Sequence, residues 1–142
     1  MLLALDVGNS NLVAGVYEGE TLRGHWRLQT TIGRTADEYG ALLRGLMAAD
    51  SLPLDAVEAV VVASVVPRMA PVLAEFSRRT FGLDPRVVGV DLQPRLPVRY
   101  EPAADVGADR LVDAVAAIRR YGAPALVIDL GTATTFNAIS RE

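Results

Sequence analysis

One six-residue pattern occurs twice in this chain. Leu5-Asp6-Val7-Gly8-Asn9-Ser10 returns near the end as Ile128-Asp129-Leu130-Gly131-Thr132-Ala133. Both copies read apolar, Asp, apolar, Gly, small polar, small, and each leaves one apolar run and enters another. A single copy is compatible with an ordinary hairpin, in which glycine takes unusual backbone angles and Asn or Thr bonds locally. Two copies, each opening a strand–turn–strand unit, point to a duplicated domain, because self-similarity at long period marks repeats.

The segments between the copies narrow the fold further. Met1–Leu5, Leu12–Tyr17 and Thr21–Leu28 are short runs separated by Gly-Asn and Gly-Glu turn signals, which predicts three antiparallel strands. Thr35-Ala36-Asp37-Glu38 is a capping box, and Tyr39, Leu42, Leu43, Leu46 and Met47 follow at helical spacing. That predicts an amphipathic helix ending near Ala49. Ala59–Ala63 has the continuous valine-rich character of a strand buried on both faces. Pro67 suits the first turn of a helix carrying Met69, Val72, Leu73 and Phe76 inward and ending at Phe81-Gly82. Val87–Val90 reads as a further strand, and Leu92–Pro102, with three prolines, as an extended connector. A helix is predicted from about Asp105 to Tyr121, with Leu111, Ala114, Val115 and Ile118 as its stripe and Gly122 and Pro124 as its stop. Ala125–Ile128 and a last run to Ile139 form the second hairpin. Strands alternating with helices after a meander predict an α/β fold, a mixed sheet covered by helices.

Composition removes several chemistries. The 142 residues contain no cysteine, which excludes disulfides, thiolate metal sites and cysteine nucleophiles. One histidine cannot build a histidine-rich metal site. All 14 basic residues are arginine, so no lysine can serve a P-loop, a Schiff base or general-base catalysis. A net charge of −3 argues against nucleic acid as a partner. No apolar stretch reaches the roughly 18 residues of a membrane helix, and Met1–Leu5 lacks a basic flank. The expectation is a soluble, cytoplasmic protein with no membrane partner.

What the paired turns can do follows from their groups. Glycine lets a ligand approach the backbone, and successive N–H groups form an anion-binding concavity. Ser10, Thr132 and Thr134 add hydroxyl donors suited to phosphate oxygens. An aspartate at a strand end beside phosphates can hold Mg²⁺, directly or through water, because that hard cation takes oxygen ligands. Two such turns facing each other would clamp a triphosphate without lysine, since phosphoryl transfer depends mainly on positioning and electrostatics.

A third element, Val106-Gly107-Ala108-Asp109-Arg110, opens the last full helix. An acidic residue in a first helical turn is by itself accounted for by the helix dipole, and Arg110 by solvation. In the functional reading, Gly107 and Ala108 let a small substrate lie against the backbone. Asp109 would accept a hydroxyl proton, ionised beside a helix N-terminus and a guanidinium, and Arg110 would bind a carboxylate bidentately. Tyr100 could pack or line a pocket. His25 reads as an ordinary strand residue. Ser64 lacks a G-x-S-x-G setting, and Arg78-Arg79 and Arg119-Arg120 read as solvated helix faces.

Asp6-Val7-Gly8-Asn9-Ser10-Asn11, Ala63-Ser64-Val65-Val66-Pro67, Val106-Gly107-Ala108-Asp109-Arg110 and Asp129-Leu130-Gly131-Thr132-Ala133-Thr134-Thr135 occur in that order. Together they resemble type III pantothenate kinases, in the superfamily of acetate and sugar kinases, heat-shock-70 proteins and actin. Each motif is loose; four in register are specific, and the resemblance covers essentially the whole chain. It implies a first actin-like (ribonuclease H-like) lobe over 1–122, with a five-stranded mixed sheet, and the start of a second similar lobe over 123–142. It implies ATP-dependent phosphorylation of pantothenate to 4'-phosphopantothenate, the first step of coenzyme A biosynthesis, in a homodimer.

By this resemblance Asp6, Val7, Gly8, Asn9, Ser10, Asn11, Leu12 and Val13 form the first phosphate loop, and Gly131 and Thr132 bind ATP from the second. Asp109 is the proton acceptor, and Tyr100, Gly107, Ala108, Asp109 and Arg110 contact pantothenate. Asp129 coordinates the monovalent cation, K⁺ or NH₄⁺, and Mg²⁺ accompanies ATP. Because such kinases have two complete lobes, the chain is expected to be an N-terminal fragment that is inactive alone. A non-catalytic regulatory or interaction protein of this fold, and another small-molecule kinase of the superfamily, remain alternatives.

Overall fold

A computed structural model describes residues 1–89 and 91–141. Its elements are β1 (Leu2–Val7), β2 (Asn11–Glu18), β3 (Thr21–Gln29), α1 (Ala36–Ala49), β4 (Ala59–Ser64), α2 (Ala70–Phe81), β5 (Arg86–Val87), α3 (Ala108–Tyr121), β6 (Ala125–Leu130) and β7 (Thr134–Ile139). Five strands form one mixed sheet in the order β3-β2-β1-β4-β5, and β6 and β7 form a separate two-stranded sheet. β1, β2 and β3 are mutually antiparallel, whereas β4 runs parallel to β1 and β5 parallel to β4. This is the α/β class expected from the element order.

Strand parity decides which residues form the core. Leu3, Leu5 and Val7 of β1 pair with Val16, Ala14 and Leu12 of β2, and Leu3 and Leu5 pair with Val60 and Val62 of β4. All of these are buried and belong to one apolar cluster with Tyr39, Leu43 and Met47 of α1 and Leu73 and Phe76 of α2. Successive strand side chains point to opposite faces, so Asp6 lies on the other side of the sheet, where α3 contacts β4. The layers are therefore α1 and α2, the sheet, and α3.

The capping box forms as expected. The Thr35 hydroxyl accepts from the Glu38 N–H, and a Glu38 carboxylate oxygen accepts from the Thr35 N–H at 2.7 Å. Leu42, expected inward, is 39% exposed, because the buried face of α1 is Ala36, Tyr39, Gly40, Leu43 and Met47. The helix expected from Pro67 begins as a 3₁₀ turn over Pro67–Met69 before α2 proper. The strand expected over Val87–Val90 is shorter and lies earlier. After Val88 the chain turns back through Gly89 at φ +87°, and the Gly89 N–H donates to the Leu92 carbonyl, while Val90 lies outside the described residues. Asp105 belongs to a separate 3₁₀ turn, so α3 starts at Ala108 with Gly107 as its cap. Val115 is 41% exposed, and the buried residue of α3 is Ala117. Among the described residues, no helix is long and apolar enough to cross a membrane.

Candidate active site

Both repeated turns place their aspartates inside strands rather than in loops. Asp6 pairs with Val13 across β1–β2, and Asp129 pairs with Thr135 across β6–β7. The strands run longer than the apolar stretches Met1–Leu5 and Ala125–Ile128 suggest, because ladder hydrogen bonds continue to the turn itself. Val7 and Leu12 bury their side chains in the core, so only their backbone can serve a ligand. Within the first turn the Gly8 N–H donates to the Asn11 carbonyl at 2.9 Å.

The two turns meet. The Ser10 hydroxyl lies 2.7 Å from the Thr132 hydroxyl, a hydrogen bond between residues at opposite ends of the chain. Asp6 and Asp113 also feel the charges of nearby aspartates. The Asp6 carboxyl is pushed above its ordinary value, first by desolvation and then by the negative charges of Asp109, Asp113 and Asp129. Asp6 is exposed, yet the protein packed around it still weakens its hydration. Asp113 is also raised, by burial first and then by Asp129 and Asp109. Neighbouring negative charges, those of Asp109 and Asp129 among them, thus disfavour the ionised forms of Asp6 and Asp113.

Asp113 is the site residue that motif reading passes over. The signal for it is present nonetheless: it stands four residues after Asp109 on a helix, and residues so spaced share a face. A like-charge pair there is unfavourable unless something cationic answers it.

Gly107 matters through close approach, since its φ of −61° is open to any residue. A Cβ at this position would collide with the Asp109 carboxylate and come within 3.1 Å of the Val65 side chain. Val65 is itself tied to the first turn, its N–H donating to the Val7 carbonyl at 3.1 Å. The Ala63–Pro67 segment is thereby wedged between the first turn and the start of α3. Ser64 in that segment uses its hydroxyl in a local turn with the Val66 backbone. Asp109 Oδ1 accepts from the Arg110 N–H at 2.8 Å, which fixes the carboxylate at the helix start. Gly107→Ala should therefore displace Asp109 and lower turnover of the full-length protein about tenfold or more. Circular dichroism should show the fold retained; unchanged turnover would refute the close-approach argument.

Between α3, the 96–100 connector and β7 lies an open groove of about 730 Å³. Tyr100, Arg110, Leu111, Ala114, Ile118 and Asn137 are among its lining residues. The volume is within the range of small-molecule sites, and the lining joins an apolar wall to polar and basic side chains such as Arg110 and Asn137. Three members of the predicted α3 stripe therefore face a cavity. Tyr100 and Arg110 line it, while Gly107, Ala108 and Asp109 stand at the adjoining helix start. His25 is an exposed strand residue opposite Gly15. Arg79 is ion-paired with Asp37 and Glu75, Arg78 with Asp84, and Arg119 with Glu20, all on the surface.

Whether the residues fit a hard cation can be tested from their chemistry. The raised carboxyls of Asp6 and Asp113 would be relieved by one. Among the described residues, however, no three His, Cys, Asp or Glu side chains converge as a complete metal site. A cation held there would have to take the rest of its coordination from phosphate oxygens or water.

The strand order, the helices on both faces and the paired Asp-x-Gly turns are those of an actin-like lobe followed by a second hairpin. A family model described as type III pantothenate kinase matches residues 2–142. The chain is 47% identical to the type III pantothenate kinase of Moorella thermoacetica, 51% to that of Anaeromyxobacter dehalogenans strain 2CP-C and 44% to that of Geobacter sulfurreducens. Each similarity extends over 142 residues, all of this chain and 56% of the relative. The chain belongs to the type III pantothenate kinase family and spans about half the length of the curated relatives it matches.

Proposed function

We propose that this chain supplies the phosphate-gripping and acceptor-binding half of a kinase that transfers the γ-phosphate of ATP to pantothenate, forming 4'-phosphopantothenate at the start of coenzyme A synthesis. The observation that carries this reading is the contact between the two Asp-x-Gly turns through Ser10 and Thr132, with Asp109 and Arg110 alongside. Residues 1–122 form the first actin-like lobe in this reading, and 123–142 open the second. The remainder, at family length, would cover the hairpin face on which Leu126, Ile128, Leu130 and Phe136 are exposed. The protein acts as a cytoplasmic homodimer.

The roles follow from position. The backbone of Asp6–Val13, the Ser10 hydroxyl and Gly131-Thr132 hold the phosphates from two sides. Tyr100 and Arg110 orient pantothenate in the adjoining cavity, Arg110 by its match to a carboxylate. Asp109 takes the hydroxyl proton as that oxygen bonds to the γ-phosphorus. The bond from phosphorus to the bridging oxygen breaks, and ADP leaves. Asp6 would hold Mg²⁺, directly or through water, and Asp129 a K⁺ or NH₄⁺ ion; such cations neutralise phosphate charge when bound. In the full-length protein, ADP release should require both pantothenate and K⁺ or NH₄⁺. ATP consumption that ignores pantothenate, or a preference for another alcohol, would overturn the assignment.

A further inference from the structure

Thr30, the residue after β3, holds the first phosphate turn with two hydrogen bonds. Its hydroxyl donates to the Gly8 carbonyl at 2.7 Å, and its N–H donates to the Ser10 carbonyl at 3.0 Å. A trans peptide unit points its carbonyl and its N–H in opposite directions. Drawing the Gly8 carbonyl toward Thr30 therefore aims the Asn9 N–H away from β3. Drawing the Ser10 carbonyl likewise aims the Asn11 N–H away. Two amide directions of the turn are thus set from outside it, by one residue.

Thr30 is itself anchored. The next residue, Thr31, exchanges two long hydrogen bonds of 3.4 Å with the hydroxyl of Tyr39, a core residue of α1. The chain of contacts runs from the packed helix through Tyr39 and Thr31 to Thr30, and from there to Gly8 and Ser10. At its far end the Ser10 hydroxyl reaches Thr132 of the second turn.

We propose that Thr30 is a positioning residue for polyphosphate binding: its hydroxyl holds the Gly8–Asn9 peptide so that the first turn presents its amides to the β- and γ-phosphates. This rests on the reading of that turn as a phosphate loop. Thr30→Val keeps the shape and the N–H but removes the hydroxyl, whereas Thr30→Ser keeps both hydrogen bonds.

Titration calorimetry of the full-length protein with Mg²⁺ and either ATP or AMP, together with steady-state kinetics, separates the possibilities. Thr30→Val should weaken ATP about five- to tenfold, the worth of one positioning hydrogen bond. AMP affinity and the KM for pantothenate should stay within twofold, and Thr30→Ser should match the parent. Thr30→Val binding ATP as the parent does, AMP weakening equally, or Thr30→Ser losing as much as Thr30→Val would each refute the positioning role. A parent protein that binds no ATP would instead refute the phosphate-loop reading on which it rests.

Discussion

Asp109→Asn lowers turnover of the full-length protein by about 10²-fold or more, the range over which a positioned general base acts. Asparagine keeps the size of the side chain and can still accept from the Arg110 N–H, the contact that holds Asp109 at the helix start. What it loses is the capacity to take a proton. The KM values for ATP and pantothenate should therefore move little while kcat falls. Steady-state kinetics with both substrates varied is the measurement, and near-parent kcat would remove Asp109 from the proton-acceptor role. The substitution also deletes one of the three neighbouring charges that raise Asp6, so the folded protein should not be weakened.

Asp6→Asn should move activity and stability in opposite directions. Activity should fall about 10²-fold, the scale seen when one preorganised electrostatic group is lost from a reacting centre. Stability of the ligand-free protein should rise, because the Asp6 carboxylate is desolvated and faces Asp109, Asp113 and Asp129. The sign follows from linkage. A carboxyl whose affinity for protons is higher folded than unfolded binds more protons in the native state, so stability falls as pH climbs from the ordinary value through the raised one. At neutral pH the penalty is fully present, and Asp6→Asn removes it. Tm should increase by about 1–3 °C at pH 7, a small gain because Asp6 is open to solvent and screened. The gain should shrink as pH is lowered through the carboxylate range. Asp113 is raised by the same causes, and Asp113→Asn should share the direction of the stability change. Thermal melts across pH decide it; a destabilised Asp6→Asn at pH 7 would contradict the repulsion.

Much of the fold is legible locally. The capping box at Thr35 and Glu38 is a four-residue signal, and the helix begins where it says. The meander follows from turn residues between short runs. Periodicity fails where coverage is uneven. Leu42 and Val115 keep helical spacing yet remain exposed, because spacing shows which residues share a face and not whether anything packs on it. The strand expected at Val87–Val90 stops early because Gly89 takes a left-handed conformation and turns the chain back.

The candidate site divides in the same way. Alternation within β1 puts Asp6 opposite the core residues Leu5 and Val7, and the repeated pattern picks out Asp129 as its counterpart. Their approach to one another is a tertiary fact that no local pattern contains, and so is the Ser10–Thr132 contact. Asp113 is legible only once the helix containing Asp109 is read for charge as well as for apolar spacing. Thr30 has no motif at all; its importance arises from where β3 ends relative to the β1–β2 turn.

A crystal structure of the full-length protein with a non-hydrolysable ATP analogue and Mn²⁺ tests the two-turn grip most directly. The β- and γ-phosphates should lie between the Asp6–Asn11 and Asp129–Thr134 turns, with anomalous signal from Mn²⁺ near Asp6. A nucleotide seated elsewhere, with both turns free of phosphate, would contradict the account.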